Sequence, residues 1–212
     1  MEYDFKIIRS RRKSVSLSVS PENEITVRCP QKFSESRINA FIANKRGWLE
    51  NILAKNQIKL SENKSIVGYE EIYVFGKKVP LIICGKNEIT ETALYVKNIK
   101  QIKKLFISRF WEEFKTNAGK ISESTGLNAK SFSVRAYKRR WGCCDLKGNV
   151  TFNYLLFMLP HRLQNYVIIH ELCHTVRFNH TPEFWRLVER FEPDYKKIRT
   201  ELKGYDYITN LY

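Results

Sequence analysis

His170-Glu171-Leu172-Cys173-His174 is the stretch that most restricts what this chain can become. Three of the chain's four histidines lie between positions 170 and 180. In an α-helix, residues four apart stand on one face, a turn apart. A helix here therefore presents His170 and His174 to a single ion, with Glu171 beside them. Two imidazoles and a neighbouring carboxylate are the donors and the base of zinc-dependent hydrolysis. The preceding run Tyr166-Val167-Ile168-Ile169 is apolar, so this helix enters the core. Pro160 opens it, where a missing N–H costs nothing.

A third donor is expected from His180. The long zinc-protease spacing His-Glu-X-X-His-X-X-Gly-X-X-His is kept except at its glycine, where this chain has Arg177. The reversal is then expected to use Asn179 in a left-handed conformation. Thr181-Pro182-Glu183 reads as a fresh helix start, with a threonine cap, proline at the first position and an acid in the first turn. Three nitrogen donors leave the fourth tetrahedral position open, which a catalytic zinc needs and a structural zinc does not. One such set predicts one zinc per chain, with His161 outside it.

Two further blocks extend the pattern. Downstream stand Asn179-His180-Thr181-Pro182-Glu183-Phe184-Trp185 and Pro193-Asp194-Tyr195; upstream stands Arg139-Arg140-Trp141-Gly142-Cys143-Cys144. Together they resemble the YgjP-like metallopeptidase family, which is related to SprT-like zincins. Cys143 departs from that family's usual Arg-Trp-Gly-Ser-Cys block, where serine stands. The resemblance is strongest after about residue 95. It implies a zincin fold, zinc held at His170, His174 and His180, and a base at Glu171.

The periodicities give an α+β chain in two parts. Residues 1–96 read as a β-rich N-terminal subdomain with one long helix. Alternation marks strands over 3–7 and 15–19, and 24–28 returns as a third after a turn at Pro21-Glu22-Asn23. A helix capped by Ser34 runs to about Gln57, with Ile38, Phe41, Ile42, Trp48, Leu49, Ile52 and Leu53 on its apolar face. A hairpin follows across Gly76-Lys77, then a short strand at 93–96. Residues 97–212 read as a zincin-like catalytic domain: a backing helix, a small antiparallel sheet and the metal helix. The backing helix spans about 98–124, with Ile99, Ile102, Phe106, Phe110 and Phe114 as its stripe and Gly126 as its end. Strands are expected over 131–137 and 149–156, and helices over 160–176, 182–191 and 194–203. The strand before the metal helix is expected to lie along the cleft, where an extended peptide can add to its edge.

Composition bounds the rest. Hydrophobic residues make up 43% and aromatics 13%, enough for a packed core. No apolar run approaches the roughly 18 residues that a membrane helix needs. The charged, alternating start reads as a strand rather than a signal peptide. Five cysteines without a Cys-X-X-Cys pair read as reduced thiols of a cytoplasmic protein. The net charge of +15 predicts attraction to polyanions, with nucleic acid or nucleotides as candidate partners beside a peptide or protein substrate. Residues 97–147 concentrate it, with thirteen Lys or Arg against four Asp or Glu.

Zinc-dependent peptide hydrolysis is the leading mechanism, with Glu171 taking a proton from water and passing it to the leaving amine. Candidates to hold the developing oxyanion are Tyr137, Arg139, Arg140, Tyr154 and Tyr195. Each ligand histidine needs an orienting acceptor. Glu183 and Glu189 lie on the next helix, although each alone reads as a surface acid. Two other readings compete. A metal-dependent phosphohydrolase suits the charge but lacks a glycine-rich phosphate cradle. A nucleic-acid-binding module with zinc as a clip leaves Glu171 without a purpose.

Overall fold

The computed structural model describes residues 3–20, 23–62 and 69–210. The chain forms two compact units, Met1–Val67 and Gly68–Tyr212. The boundary thus falls earlier than the expected one after residue 96. The reason is burial: Ile72, Val79, Leu81, Leu94 and Val96 share one apolar core with Phe106, Phe110 and Phe114.

In the first unit, β1 (Phe5–Ser10), β2 (Ser16–Val19) and β3 (Ile25–Pro30) form a sheet of order β1-β3-β2. Part of the turn expected at Pro21-Glu22-Asn23 lies outside the described residues. Ser34 caps α1 (Glu35–Asn44), accepting from the Arg37 N–H. The expected single helix is broken at Lys45, and α2 (Arg46–Glu62) begins anew. The Lys45 N–H turns back to the carbonyls of Ala43 and Ile42, tightening the last turn. Ile38, Ile42 and Leu49 bury against Ile25, Val27 and Cys29, whereas Trp48, expected inside, is 43% exposed.

The second unit is built around α3 (Ile102–Thr125), entered through a 3₁₀ turn at Ile99–Gln101. Ile102, Phe106, Phe110, Phe114 and Ala118 are its buried stripe, and Gly126 ends it at φ 69°. On one side lie β4 (Glu71–Val74), β5 (Lys77–Ile83), β6 (Glu88–Ile89) and β7 (Leu94–Val96), in sheet order β4-β5-β7-β6. The β4–β5 turn is Phe75-Gly76, both at positive φ, the geometry that suits strand twist. Its Phe75 and Gly76 N–H groups donate to the carbonyls of Phe157 and Met158. A Cβ on Gly76 would lie 2.5 Å from Pro160 Cγ, so the hairpin tip docks against the start of the metal helix only because that residue is glycine.

The second sheet contains β8 (Ser131–Arg135), β9 (Gly142–Cys144) and β10 (Asn149–Asn153), in order β8-β10-β9. The expected antiparallel sheet is mixed: β8 runs parallel to β10, and only β9 is antiparallel to it. The turn at Asp145–Gly148 therefore joins β9 to β10, not β8 to β10. Residues 136–141 cross between β8 and β9, turning at Arg139 with φ 63°. Asn153, fully buried, holds this crossing: its Nδ2 donates to the carbonyls of Tyr137 (3.0 Å) and Arg140 (2.9 Å). Its Oδ1 accepts from the Leu155 N–H and opens a 3₁₀ turn over Tyr154–Met158. That turn ends β10 three residues before the expected end of the strand at Leu156. Helix α4 (His161–Cys173) follows, then α5 (Pro182–Phe191) and α6 (Tyr195–Lys203). Among the described residues no helix is long and apolar enough to cross a membrane.

Candidate metal centre

Helix α4 carries its apolar residues inward, and Leu163, Val167, Ile168 and Leu172 are buried. This fixes the direction in which His170 and Glu171 point. The helix ends at His174, whose backbone N–H returns to the Glu171 and Leu172 carbonyls. The chain then reverses through short turns, with Val176 and Arg177 N–H both reaching the Cys173 carbonyl and Thr181 N–H reaching Asn179. Asn179 is not left-handed, contrary to expectation. The arginine in the usual glycine position is accommodated because these tight turns need no positive φ there.

The reversal returns His180 to His170, with the two Nε2 atoms 3.1 Å apart. One ring nitrogen from each of His170, His174 and His180 falls within 4.8 Å of the others. His174 Nδ1 lies 3.0 Å from the Arg177 carbonyl; with the proton on Nδ1, Nε2 is left with its lone pair free. His170 Nδ1 is buried without a hydrogen-bond partner. Burial, then His174, His180 and Arg199, push His170 down to about 3, and His174 and His180 are lowered too, chiefly by burial. Three neutral imidazoles with converging lone pairs fit a nitrogen-binding divalent metal, which needs its histidines deprotonated. Zinc is the metal such a set suits.

Aromatic rings floor this donor set. Phe184 of α5 is fully buried and touches all three imidazoles, at ring-centre distances of 5.0, 4.5 and 4.8 Å. Trp185 stacks on His180 and on Tyr195. The acids proposed to orient the ligands do not do so: Glu183 pairs with Arg186 and Glu189 with Lys196. A backbone carbonyl, that of Arg177, takes this role for His174.

Glu171 is 6% exposed, and burial raises its carboxyl to about 8 against a smaller downward pull from Arg140. It packs on the face of Gly142 in β9, where an added Cβ would lie 2.8 Å from its Cγ and 2.9 Å from Oε1. The histidines and Glu171 open into a cleft of about 460 Å³ lined also by Arg140, Trp141, Gly142, Cys143 and Cys144. Tyr166, Arg199, Leu202, Lys203 and Asp206 also line it.

Of the five candidates for the oxyanion, only Arg140 lines this cleft. Tyr137 turns its hydroxyl to Cys143 Sγ at 2.9 Å. Tyr154 is buried with its hydroxyl pushed up to about 12. Tyr195 stacks beneath Trp185, and Arg139 supplies the left-handed turn. His161, expected outside the donor set, stacks on Phe75. Sequence reasoning missed Asn153, Tyr166, Arg199 and Lys203. Tyr166 had a readable signal, since it lies one helical turn before His170.

The strand along the cleft is β9, not β10 as expected. β10 is central and paired on both sides, whereas β9 is an edge.

Two imidazoles at the end of α4 and a third from the reversal that follows converge beside a buried carboxylate, a set that could hold a metal ion. The chain belongs to the YgjP-like family, a metallopeptidase domain that matches residues 13–205. The protein is thus a metallopeptidase, as the family defines. Part of this chain is similar to most of each of two solved structures. The metallopeptidase zymogen of Pyrococcus abyssi abylysin is 26% identical, with a TM-score of 0.37 over 43% of this chain and 90% of that one. The metallopeptidase zymogen of Methanocaldococcus jannaschii jannalysin is 19% identical, with a TM-score of 0.38 over 42% of this chain and 92% of that one. Among curated proteins none matches.

Proposed function

We propose that the chain hydrolyses peptide bonds at a single zinc held by His170, His174 and His180, with Glu171 as general base. The convergence of three imidazole nitrogens within 4.8 Å carries this reading. Bound there, zinc would polarise the scissile carbonyl, acidify the attacking water and draw Glu171 toward its ionised form. Glu171 takes the water proton and delivers it to the leaving amine. Gly142 leaves its carboxylate room and sets its position. Arg140 faces the cleft on the same side and is placed to meet negative charge developing on the substrate. The β9 edge offers main-chain hydrogen bonds that would hold the substrate extended across the site. Three nitrogens and a buried carboxylate also argue against zinc as a structural clip, because both an open position and a base remain.

Metal analysis and Glu171→Gln test this together. One zinc per chain is expected in both proteins, with peptide hydrolysis lower by about 10²-fold or more in the variant. His170→Ala or His174→Ala should abolish zinc binding, and His161→Ala should not. Retained hydrolysis in zinc-loaded Glu171→Gln rejects the assignment of the base.

A further inference from the structure

The charges on α6 divide by face. Lys196 pairs with Glu189 and Lys197 with Asp194. Arg199 and Lys203 line the cleft, and neither has an ion-pair partner among the described residues. Of the neighbouring acids, Glu201 pairs with Arg162, and Asp206, which also lines the cleft, accepts from the Trp141 indole N–H at 3.0 Å, leaving three cations against Asp206 and the protonated Glu171 in the lining. Like charges one turn apart on a helix repel each other. Here they are kept one turn apart on the face that borders the metal ligands. Arg199 is also placed, with its guanidinium 4.7 Å from the centre of the Trp185 ring, which itself stacks on His180. Arg140 adds a third cation to the lining of the cleft, near enough to Glu171 to pull its carboxyl downward.

We infer that Arg199 and Lys203, with Arg140 in the same cleft, form a carboxylate clamp, so that the preferred substrates are peptides with a carboxylate next to the scissile bond. This rests on the peptidase reading and names its substrate class. The carboxylate can be an Asp or Glu side chain or the C-terminus of the substrate. A cleft lined by cations in low-dielectric walls selects for such a group and rejects a basic one. Planar, stacked Arg199 matches a carboxylate through two parallel N–H donors.

The test uses the full chain carrying Glu171→Gln, loaded with zinc, and dye-labelled hexapeptides read by fluorescence anisotropy. One series varies a single central residue among Glu, Gln and Lys with an amidated end. A second keeps the residue neutral and compares a free with an amidated C-terminus, which separates the two sources of carboxylate. At least one carboxylate peptide should bind about tenfold or more tightly than its neutral partner, and the Lys peptide most weakly. Arg199→Gln with Lys203→Gln should erase this preference, whereas Lys196→Gln with Lys197→Gln, which removes the same charge from the outer face, should not. Lys203→Gln alone, with no stacking to disturb, should reduce it. Equal binding of all peptides, equal loss from either face, or binding of a nucleoside triphosphate without binding of any peptide overturns the clamp. If the wild-type chain cleaves peptides regardless of charge, the clamp falls and the peptidase reading stands. If acidic peptides bind in the stated pattern and are never cut, the clamp stands and the hydrolytic reading falls.

Discussion

Gly142 and Glu171 pack against each other in the cleft lining with no room for a methyl group between them. A Gly142→Ala chain must push the carboxylate aside, because the strand is pinned by its pairing with Phe152 and cannot retreat. The donors lie on other residues, so zinc content should be unchanged while kcat falls by roughly tenfold to a hundredfold, the scale on which misplacing a catalytic group acts. Zinc titration and steady-state peptide hydrolysis check this, and an unaltered kcat would remove Gly142 from any positioning role. The metal-free chain reports on the same residues through pH. Glu171 holds its proton at about 8 when folded and near 4.5 when not. Its contribution to stability is therefore complete below pH 4.5 and is lost as pH rises through 8. His170 runs the opposite way, from 6.5 down to about 3, so its contribution is complete above 6.5 and is lost as pH falls through 3. His174 and His180 are lowered as well and act with it. As pH rises toward 6.5 the gain at His170 offsets the loss at Glu171 and the lowered His174 and His180 add to it, and above 6.5 only the Glu171 loss remains, so these four groups together are most stabilising near pH 6.5. Urea denaturation of chelator-treated protein at pH 6.5 and above pH 8 should show the alkaline decline in the wild type and its absence in Glu171→Gln. Parallel declines in the two proteins would mean that Glu171 ionises freely in the fold.

The elements differ in how far they can be read from the chain, and the differences have physical causes. The α3 stripe is legible because phenylalanines four apart have one reading, and the αL glycine marks its end. The donor set is legible because helix geometry places His170 and His174 on one face by itself. β9 was not recognised because Gly-Cys-Cys carries no alternation, and its register comes from β10 rather than from its own residues. The break at Lys45 lies inside a helix-forming run and is decided by how the two helices cover their sheet. Arg199 and Lys203 belong to the cleft through a packing of α6 that nothing local encodes. Asn153 shows the same limit at a connection. It reaches from the core to two carbonyls of the 136–141 crossing, and Asn153→Ala would leave both part-buried groups without that donor. That should cost toward the lower end of about 2–6 kcal/mol in urea denaturation, at about 1–3 kcal/mol for each orphaned group and less where water reaches it. Asn153→Asp should be no milder, since it turns an acceptor toward the same carbonyls. Stability within about 0.5 kcal/mol of wild type, as for an ordinary surface change, would show that the crossing holds itself.

At the scale of the whole molecule, the donor set, the base and the cleft cations all belong to the unit Gly68–Tyr212. Metal binding should therefore stabilise that unit. A ligand at a thousandfold excess over its Kd contributes about 4 kcal/mol to the state that binds it. For a domain of this size that corresponds to a Tm roughly 8–16 °C higher. Calorimetry with and without zinc should show this shift in wild type and in His161→Ala, and its loss in His170→Ala. A zinc-independent transition in every protein would separate the donor set from the stability of the fold.

The stacking of Trp185 on His180, rings 21° apart and 5.4 Å between centres, gives the site an optical handle. Indole emission is sensitive to the electronic state of an imidazole against its face, and coordination through the His180 lone pair would change that state. Occupancy of the metal site is thus written into the ultraviolet fluorescence of the native chain, and it can be followed in time without a label.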